Sequence, residues 1–448
     1  VARLKKEIVP VAEIKGSVRV PGDKSISHRA AMLGALAEGT TVIEGFLVAD
    51  DCLHTLKCLW HLGVPVRVEE AATQEGRQEH GSARVTIEGK CLSGLQEPEK
   101  VLDAGNSGTT MRLLSGILAG QSFTSFMSGD ESLCRRPMDR ITVPLRKMGA
   151  QIIGRQGGKY APLAITGGNL HALYYRLPLA SAQVKSALLL AGLYAPGWTV
   201  VLEPGSSRNH TELMLKAFGA ELEASGKGPE KEVAVKGFPT LKAQRVLVPG
   251  DLSSAAFLLV AALIAPHGKL TIKSVGLNPT RDGIIEALQA MGAKLRITEK
   301  QKIAGELIGT VEVESSSLKG ISLGGAMIPR LIDEIPVLAV AALFAEGVTE
   351  IRDAAELKVK ESNRLAAIAE GLSRMGGRIE ELPDGLRISG GHALKGVSCR
   401  SFGDHRIAMA LAVAALGAQG KTVLEGAEAV NVSFPGFWQL LEELKGGE

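Results

Sequence analysis

Aromatic residues make up only 4% of this 448-residue chain, and that scarcity removes one large class of function. Proteins that hold single-stranded nucleic acid stack its bases on rings and track its backbone with a basic face. Here rings are few and the formal net charge is only +3. Cysteine is scarce too: Cys52, Cys58, Cys91, Cys134 and Cys399 are odd in number and form no CxxC pair. Neither a disulfide framework nor a thiolate metal site is indicated, and a reducing cytoplasm is the expected location. No apolar run is long enough to cross a membrane, and Val1-Ala2-Arg3-Leu4-Lys5-Lys6 lacks the apolar core of a signal peptide. The patterns GxGxxG, HExxH and GxSxG are absent. The nine histidines show no metal-ligand spacing, and His54 and His61 read as helix-surface residues. Any catalysis is therefore expected to run on cations and carboxylates, with no metal and no cofactor.

What is present is repetition. Val20-Pro21-Gly22-Asp23 recurs as Val248-Pro249-Gly250-Asp251, 228 positions on. The first copy continues with Lys24-Ser25-Ile26-Ser27-His28-Arg29, and the second with the uncharged Leu252-Ser253-Ser254-Ala255-Ala256-Phe257. One copy reads as an anion site that the other lacks. A Leu-x-x-(Met/Leu/Phe)-Gly signature closes five apolar-periodic stretches, at Gly63, Gly149, Gly219, Gly292 and Gly376, and a degenerate sixth ends at Gly446. Its half-to-half offsets of 229, 227 and 227 agree with the first repeat. A second glycine series, Gly39, Gly120, Gly197, Gly268, Gly347 and Gly420, separates helix-like from strand-like runs; thus Ala30–Ala37 is followed by Gly39 and the β-branched stretch Thr40–Glu44. These series predict an α/β chain of six units in two sets of three. The expected organisation is two pseudo-symmetric domains, one over 21–248 and one over 249–448 completed by 1–20, with the chain crossing near Pro21 and Pro249. The polar stretch Glu69–Ser82 reads as a surface loop.

Chemistry is expected where helices begin. Asn106-Ser107-Gly108-Thr109-Thr110, Ser181-Ala182-Gln183 and Asp404-His405-Arg406 each set a capping side chain before an apolar helix, whose free N–H groups and dipole favour an anion. Many capped helices look like this. These differ in the cation beside each cap: Lys24 and Arg29, Arg112, Arg136, Lys185, Arg208, Arg281, Lys360 and Arg364, and Arg406. Arginine grips carboxylate or phosphate with two parallel bonds, and lysine is a movable point charge. In a pseudo-symmetric array such ends would converge on one cleft. Gly22-Asp23-Lys24-Ser25 is not a nucleotide P-loop, because no glycine stands five positions before Asp23 and Asp23 takes the place of the last one.

Taken in order, Pro21 to Arg29, Gly105-Asn106-Ser107-Gly108-Thr109, Arg136-Pro137-Met138, Leu357 to Arg364 and Asp404-His405-Arg406 resemble the 3-phosphoshikimate 1-carboxyvinyltransferase (EPSP synthase) family over nearly the whole chain. Ser181 to Lys185, Arg208 to Glu212 and Asn278 to Arg281 resemble its second class. The resemblance implies the enolpyruvyl transferase fold, an inside-out α/β barrel in which each domain has three βαβαββ units. It implies transfer of the enolpyruvyl group of phosphoenolpyruvate to the 5-hydroxyl of shikimate 3-phosphate by a monomer, with the active site between the domains. By the same resemblance Lys24, Gly108, Arg136 and Gln183 hold the phosphate of phosphoenolpyruvate, and Arg364 and Arg406 its carboxylate. Ser25 and Arg29 take the shikimate carboxylate, and Ser181, Ala182, Arg208 and Lys360 its phosphate. Lys185 and Arg281 support the electrostatic set. Asp333 matches the base and Glu361 the acid, with Lys24 sharing the acid's duty. Without the resemblance, Asp333 would read as a helix cap ahead of Pro336.

Three positions depart from the pattern: Glu356 stands where the first class usually has an asparagine that contacts shikimate hydroxyls, Asn363 replaces the common aspartate before Arg364, and Val432 stands where the first class has a lysine. Two other functions fit the same scaffold. A sister transferase acting on UDP-N-acetylglucosamine has Lys-Asn where this chain has Lys24-Ser25, and needs a loop cysteine, for which Cys134 is a poor match. A non-catalytic protein binding anionic metabolites would not need Asp333, Glu361, Lys360 and Arg406 intact.

Overall fold

The structure, a computed structural model, describes residues 4–70, 81–226, 230–303 and 305–446. The chain divides into two compact units: Gly22–Val248 with Ile303–Glu306, and Val1–Pro21 with Pro249–Lys302 and Leu307–Glu448. Among the described residues there are six small mixed sheets, built by one rule: a strand takes a parallel neighbour on one side and an antiparallel neighbour on the other. In the Gly22–Val248 unit, Thr40–Leu47 lies between Arg245–Leu247, parallel, and Ser82–Glu88, antiparallel. Thr124–Ser128 and Trp198–Glu203 repeat this, each with a parallel and an antiparallel partner. In the other unit the same role falls to His267–Gly276, Val348–Ile351 and Thr422–Glu425. The predicted α/β architecture of six units in two sets of three is thus what the chain adopts.

Each unit wraps its sheets around three central helices: Lys24–Leu36, Gly108–Leu118 and Ala182–Gly192 in one, Leu252–Ile264, Ile335–Leu343 and His405–Leu416 in the other. These are buried almost all round, as expected of helices that are mostly apolar beyond their first turns. Amphipathic helices such as Asp50–His61, Asp139–Lys147 and Arg364–Arg374 bury one face only. The five signature glycines close these outer helices in the left-handed region, with φ between +81° and +110°. The second glycine series is not uniform. Gly39, Gly197, Gly347 and Gly420 have positive φ, whereas Gly120 and Gly268 are required by close approach. An added Cβ would lie 2.1 Å from the Tyr194 ring at Gly120 and 1.7 Å from the Ala262 carbonyl oxygen at Gly268.

The surface loop expected over Glu69–Ser82 falls mostly outside the described residues. Val66–Glu70 and Ser82–Glu88 are antiparallel strands, and residues 71–80 lie outside the described residues. Polar strand ends at a sheet edge carry no apolar alternation to mark them. Among the described residues, no helix is long and apolar enough to cross a membrane.

Gly116 sets how closely two central helices approach, because its Cβ would lie 2.2 Å from the Ala187 carbonyl oxygen. Gly116→Ala gains about 1 kcal/mol in helix propensity, but it must push a buried backbone aside. A net destabilisation of about 1–3 kcal/mol is expected in chemical denaturation. Gly168→Ala, which would meet nothing within 4 Å, should stay within about 0.5 kcal/mol of the parent.

Candidate active site

The Gly22–Val248 unit places its cations at helix starts. Asp23 caps the helix Lys24–Leu36 by accepting from the Ile26 amide at 2.9 Å, so Lys24, Ser25 and Arg29 lie in its first two turns. Lys24 Nζ stands 3.0 Å from Asp51 Oδ2 of the neighbouring helix Asp50–His61. Arg29 is buried, and its partners are neutral: Thr211 Oγ1 at 2.6 Å, Ser186 Oγ at 2.8 Å and the Ser25 carbonyl at 2.9 Å. Burial pushes Arg29 down to about 10, with Glu212 and Asp23 opposing and Arg208 reinforcing the shift. It remains a cation at neutral pH. Between these two, His28 is held well below its ordinary value by burial and then by Lys24 and Arg29, so it is neutral. It meets Thr55 Oγ1 at 2.7 Å.

A second cluster surrounds Gly108. Ser107 caps the helix Gly108–Leu118 through the Thr110 amide at 3.1 Å. Arg112 donates to Gln183 Oε1 at 2.7 Å, while Gln183 Nε2 donates to Thr109 Oγ1 at 3.0 Å. The starts of two central helices are tied together this way. Arg136 is held by Asn106, through Oδ1 at 2.5 Å and the carbonyl at 3.2 Å. A Cβ built on Gly108 would lie 2.7 Å from Arg112 and 3.5 Å from Arg136. Two guanidinium groups therefore close on bare backbone at a helix N-terminus, an arrangement suited to phosphate. Ser181 caps the helix Ala182–Gly192, with Ala182 and Gln183 in its first turn. Lys185 is 1% exposed and lies between Glu203 at 2.7 Å and Glu212 at 2.6 Å. It binds the segment carrying Arg208 to this helix.

The other unit gathers carboxylates. Arg364, 1% exposed, donates from Nε to Asp404 at 2.8 Å, from one terminal nitrogen to Asp333 at 3.2 Å and from the other to Glu361 at 2.6 Å. Burial opposes its charge, but Asp404, Glu361 and Asp333 outweigh burial and hold its pKa above the ordinary arginine value. Asp404 also caps the helix His405–Leu416 through the Arg406 amide at 2.9 Å. The Arg406 guanidinium donates to the Asp333 carbonyl at 3.1 Å and stands 3.8 Å from the carboxylates of Asp333 and Glu334. Lys360 donates to Glu356 at 3.1 Å.

The profile of EPSP synthase (3-phosphoshikimate 1-carboxyvinyltransferase) matches residues 8–441. The chain belongs to the EPSP synthase family. It is 52% identical over 437 residues to the 3-phosphoshikimate 1-carboxyvinyltransferase of Desulforamulus reducens, covering 98% of both chains. It is 56% identical over 432 residues to that of Pelotomaculum thermopropionicum, covering 96% of each. The solved EPSP synthase of Acinetobacter baumannii superposes with a TM-score of 0.85 at 42% identity, over 99% of this chain and 98% of that one.

Within this EPSP synthase scaffold, helix starts fall two to six residues before the apolar stretches that suggested them, since a polar first turn has no apolar period. Asp333 is not a helix cap. Glu334 takes the N-cap position of Ile335–Leu343, and the Asp333 side chain faces Arg364 and Arg406. Asn363 caps the helix Arg364–Arg374, and Arg364 is oriented by Asp404 instead. Glu356 is the partner of Lys360. Sequence reasoning missed Asp51, Asn106 and Thr211 as partners of Lys24, Arg136 and Arg29. Asp404 was expected as a helix cap, which it is, but its second role as the partner of Arg364 had no local signal.

Replacing Arg364 by methionine strips three carboxylates of a common partner and should destabilise the protein by about 3–5 kcal/mol. A buried carboxylate without a partner has a folded pKa above its unfolded value, so its penalty exists above that pKa and fades as pH falls. The deficit of Arg364→Met relative to the parent should therefore be smaller in denaturation at pH 5 than at pH 8.

Proposed function

We infer that the chain transfers the enolpyruvyl group of phosphoenolpyruvate to the 5-hydroxyl of shikimate 3-phosphate and releases phosphate, a step in aromatic amino acid biosynthesis. One observation carries this reading: Asp333 and Glu361, each with 17% of its side chain exposed, are presented side by side on the buried Arg364. Addition across the enol double bond needs a base for the attacking hydroxyl and an acid for the methylene carbon. Asp333 takes the hydroxyl proton as the oxygen bonds to the central carbon, and Glu361, with Lys24, supplies the proton to the methylene. Loss of that proton with departure of phosphate then restores the double bond.

The two units are taken as the two domains of the enzyme in this reading. Lys24, Gly108, Arg136 and Gln183 hold the phosphate of phosphoenolpyruvate; Arg406, with Arg364, holds its carboxylate. Ser25 and Arg29 receive the shikimate carboxylate, and Ser181, Ala182, Arg208 and Lys360 its phosphate. Fixed donors facing the doubly charged groups are what offset their repulsion. The second class of the family is favoured because the ion pair of buried Lys185 with Glu212 joins two of its three motifs. The sister transferase is disfavoured by Cys134, whose thiol donates to the Gly129 carbonyl at 3.4 Å. The enzyme is expected to work as a monomer in the cytoplasm, without metal or cofactor.

Phosphate release should require phosphoenolpyruvate and shikimate 3-phosphate together, persist in a chelator, and not occur with UDP-N-acetylglucosamine as acceptor. Asp333→Asn should bind both substrates while kcat falls by about 10²–10⁴-fold, the usual range for a lost general base. Arg406→Ala should mainly raise the KM for phosphoenolpyruvate. Release supported by the nucleotide sugar would favour the sister enzyme.

A further expectation concerns glyphosate, an anion longer than phosphoenolpyruvate that must extend past the phosphate position beside Gly108. The methyl of Gly108→Ala displaces Arg112 first, since it would stand 2.7 Å from the guanidinium. The inhibitor's dissociation constant should rise more than the KM for phosphoenolpyruvate, which can avoid the methyl. Equal increases would mean a general loss of anion affinity.

A further inference from the structure

The second copy of Val-Pro-Gly-Asp has no cation in its own sequence, yet its helix start is not empty of charge. Asp251 caps the helix Leu252–Ile264 through the Ser253 amide at 2.8 Å. Arg281, 2% exposed, reaches this cap from elsewhere in the unit and donates to Asp251 Oδ1 at 2.8 Å and to Ser253 Oγ at 2.7 Å. Ser253 Oγ in turn bonds Glu334, which is 1% exposed. The direction of this chain is forced. A guanidinium only donates and an ionised carboxylate only accepts, so the single Ser253 hydrogen must point at Glu334. The duplicated helix start is therefore an anion site occupied by a carboxylate of the same chain.

That carboxylate belongs to the residue next to Asp333. Arg406 approaches from the other side, donating to the Asp333 carbonyl at 3.1 Å and standing 3.8 Å from Glu334 Oε1. The backbone at Asp333–Glu334 is thus held at two points, and the direction of the Asp333 side chain toward Arg364 follows from them. We propose that Arg281 and Ser253 are positioning residues for the transfer reaction: they capture Glu334 and so fix the aim of the Asp333 carboxylate. The repeat that holds no substrate holds the base in place instead. This inference rests on Asp333 being the base.

The test is a mutant cycle on the full-length enzyme. Ser253→Ala removes one hydroxyl and leaves the Arg281–Asp251 pair, so it is the variant expected to fold without difficulty; Arg281→Met is the stronger perturbation. In the parent background, Ser253→Ala should lower kcat about tenfold or more, the size seen for outer-shell partners of functional groups, with both KM values within about twofold. In an Asp333→Asn background the same substitution should lower turnover no further, because residues that act through one another are not additive. Arg281→Met should show the same pattern. A normal kcat for Ser253→Ala overturns the proposal whatever Arg281→Met does. So does a loss of equal size in both backgrounds, or a rise in KM with kcat kept. Near-normal turnover of Asp333→Asn alone would remove the base itself, and this inference with it; a slow Asp333→Asn beside additive losses would remove only the positioning role.

Discussion

A guanidinium with 1% exposure is the constraint on which the catalytic half of the structure rests. Taking an ion out of water costs several kcal/mol, and only good geometry with several partners offsets that cost. Arg364 meets the requirement by giving each of its three nitrogens a different carboxylate. The consequence runs outward. Asp404 is fully buried and is also the cap of a central helix, so the helix start, the arginine and the two partly exposed acids form one rigid set. Displacing any one carboxylate removes part of what offsets the burial of Arg364.

The two units treat their cations differently. In Gly22–Val248, Arg29 is held by hydroxyls, Arg136 by an asparagine and Arg112 by a glutamine. Hydrogen bonds to neutral groups hold these guanidinium groups in position, an arrangement suited to dianions. In the other unit, Arg281 and Arg364 are paired with carboxylates, which leaves a local balance fit for moving protons. Lys24 and Lys185 are exceptions in the first unit, and both neutralise acids beside the helices they sit on.

The architecture was legible because glycines at helix ends recur at matching offsets, and a left-handed end is a demand that few other residues meet. The site was legible only as residue types and motifs. Partners were not: Arg29 finds Thr211 and Ser186 at separations of 182 and 157 residues, and nothing local in the sequence encodes such a meeting. Lys185 and Arg281 were expected to support substrate electrostatics. Each proves to be buried against carboxylates of its own unit, an assignment that only packing reveals.

Sheet closure has a consequence for how the chain is made. Lys5–Ile8 pairs with Thr422–Glu425, and Glu13–Val18 with His267–Gly276. The first of these strands emerges from the ribosome with its partner more than 400 residues away, a wait of roughly 20 to 80 s at the usual pace of synthesis. During that time its backbone donors and acceptors form an open edge able to template pairing with other chains. Gly22–Val248 has no such delay once Arg245–Leu247 has closed on Thr40–Leu47. Vectorial synthesis therefore favours completing that unit first, and leaves the nascent amino-terminal strands as the segment most in need of chaperone cover.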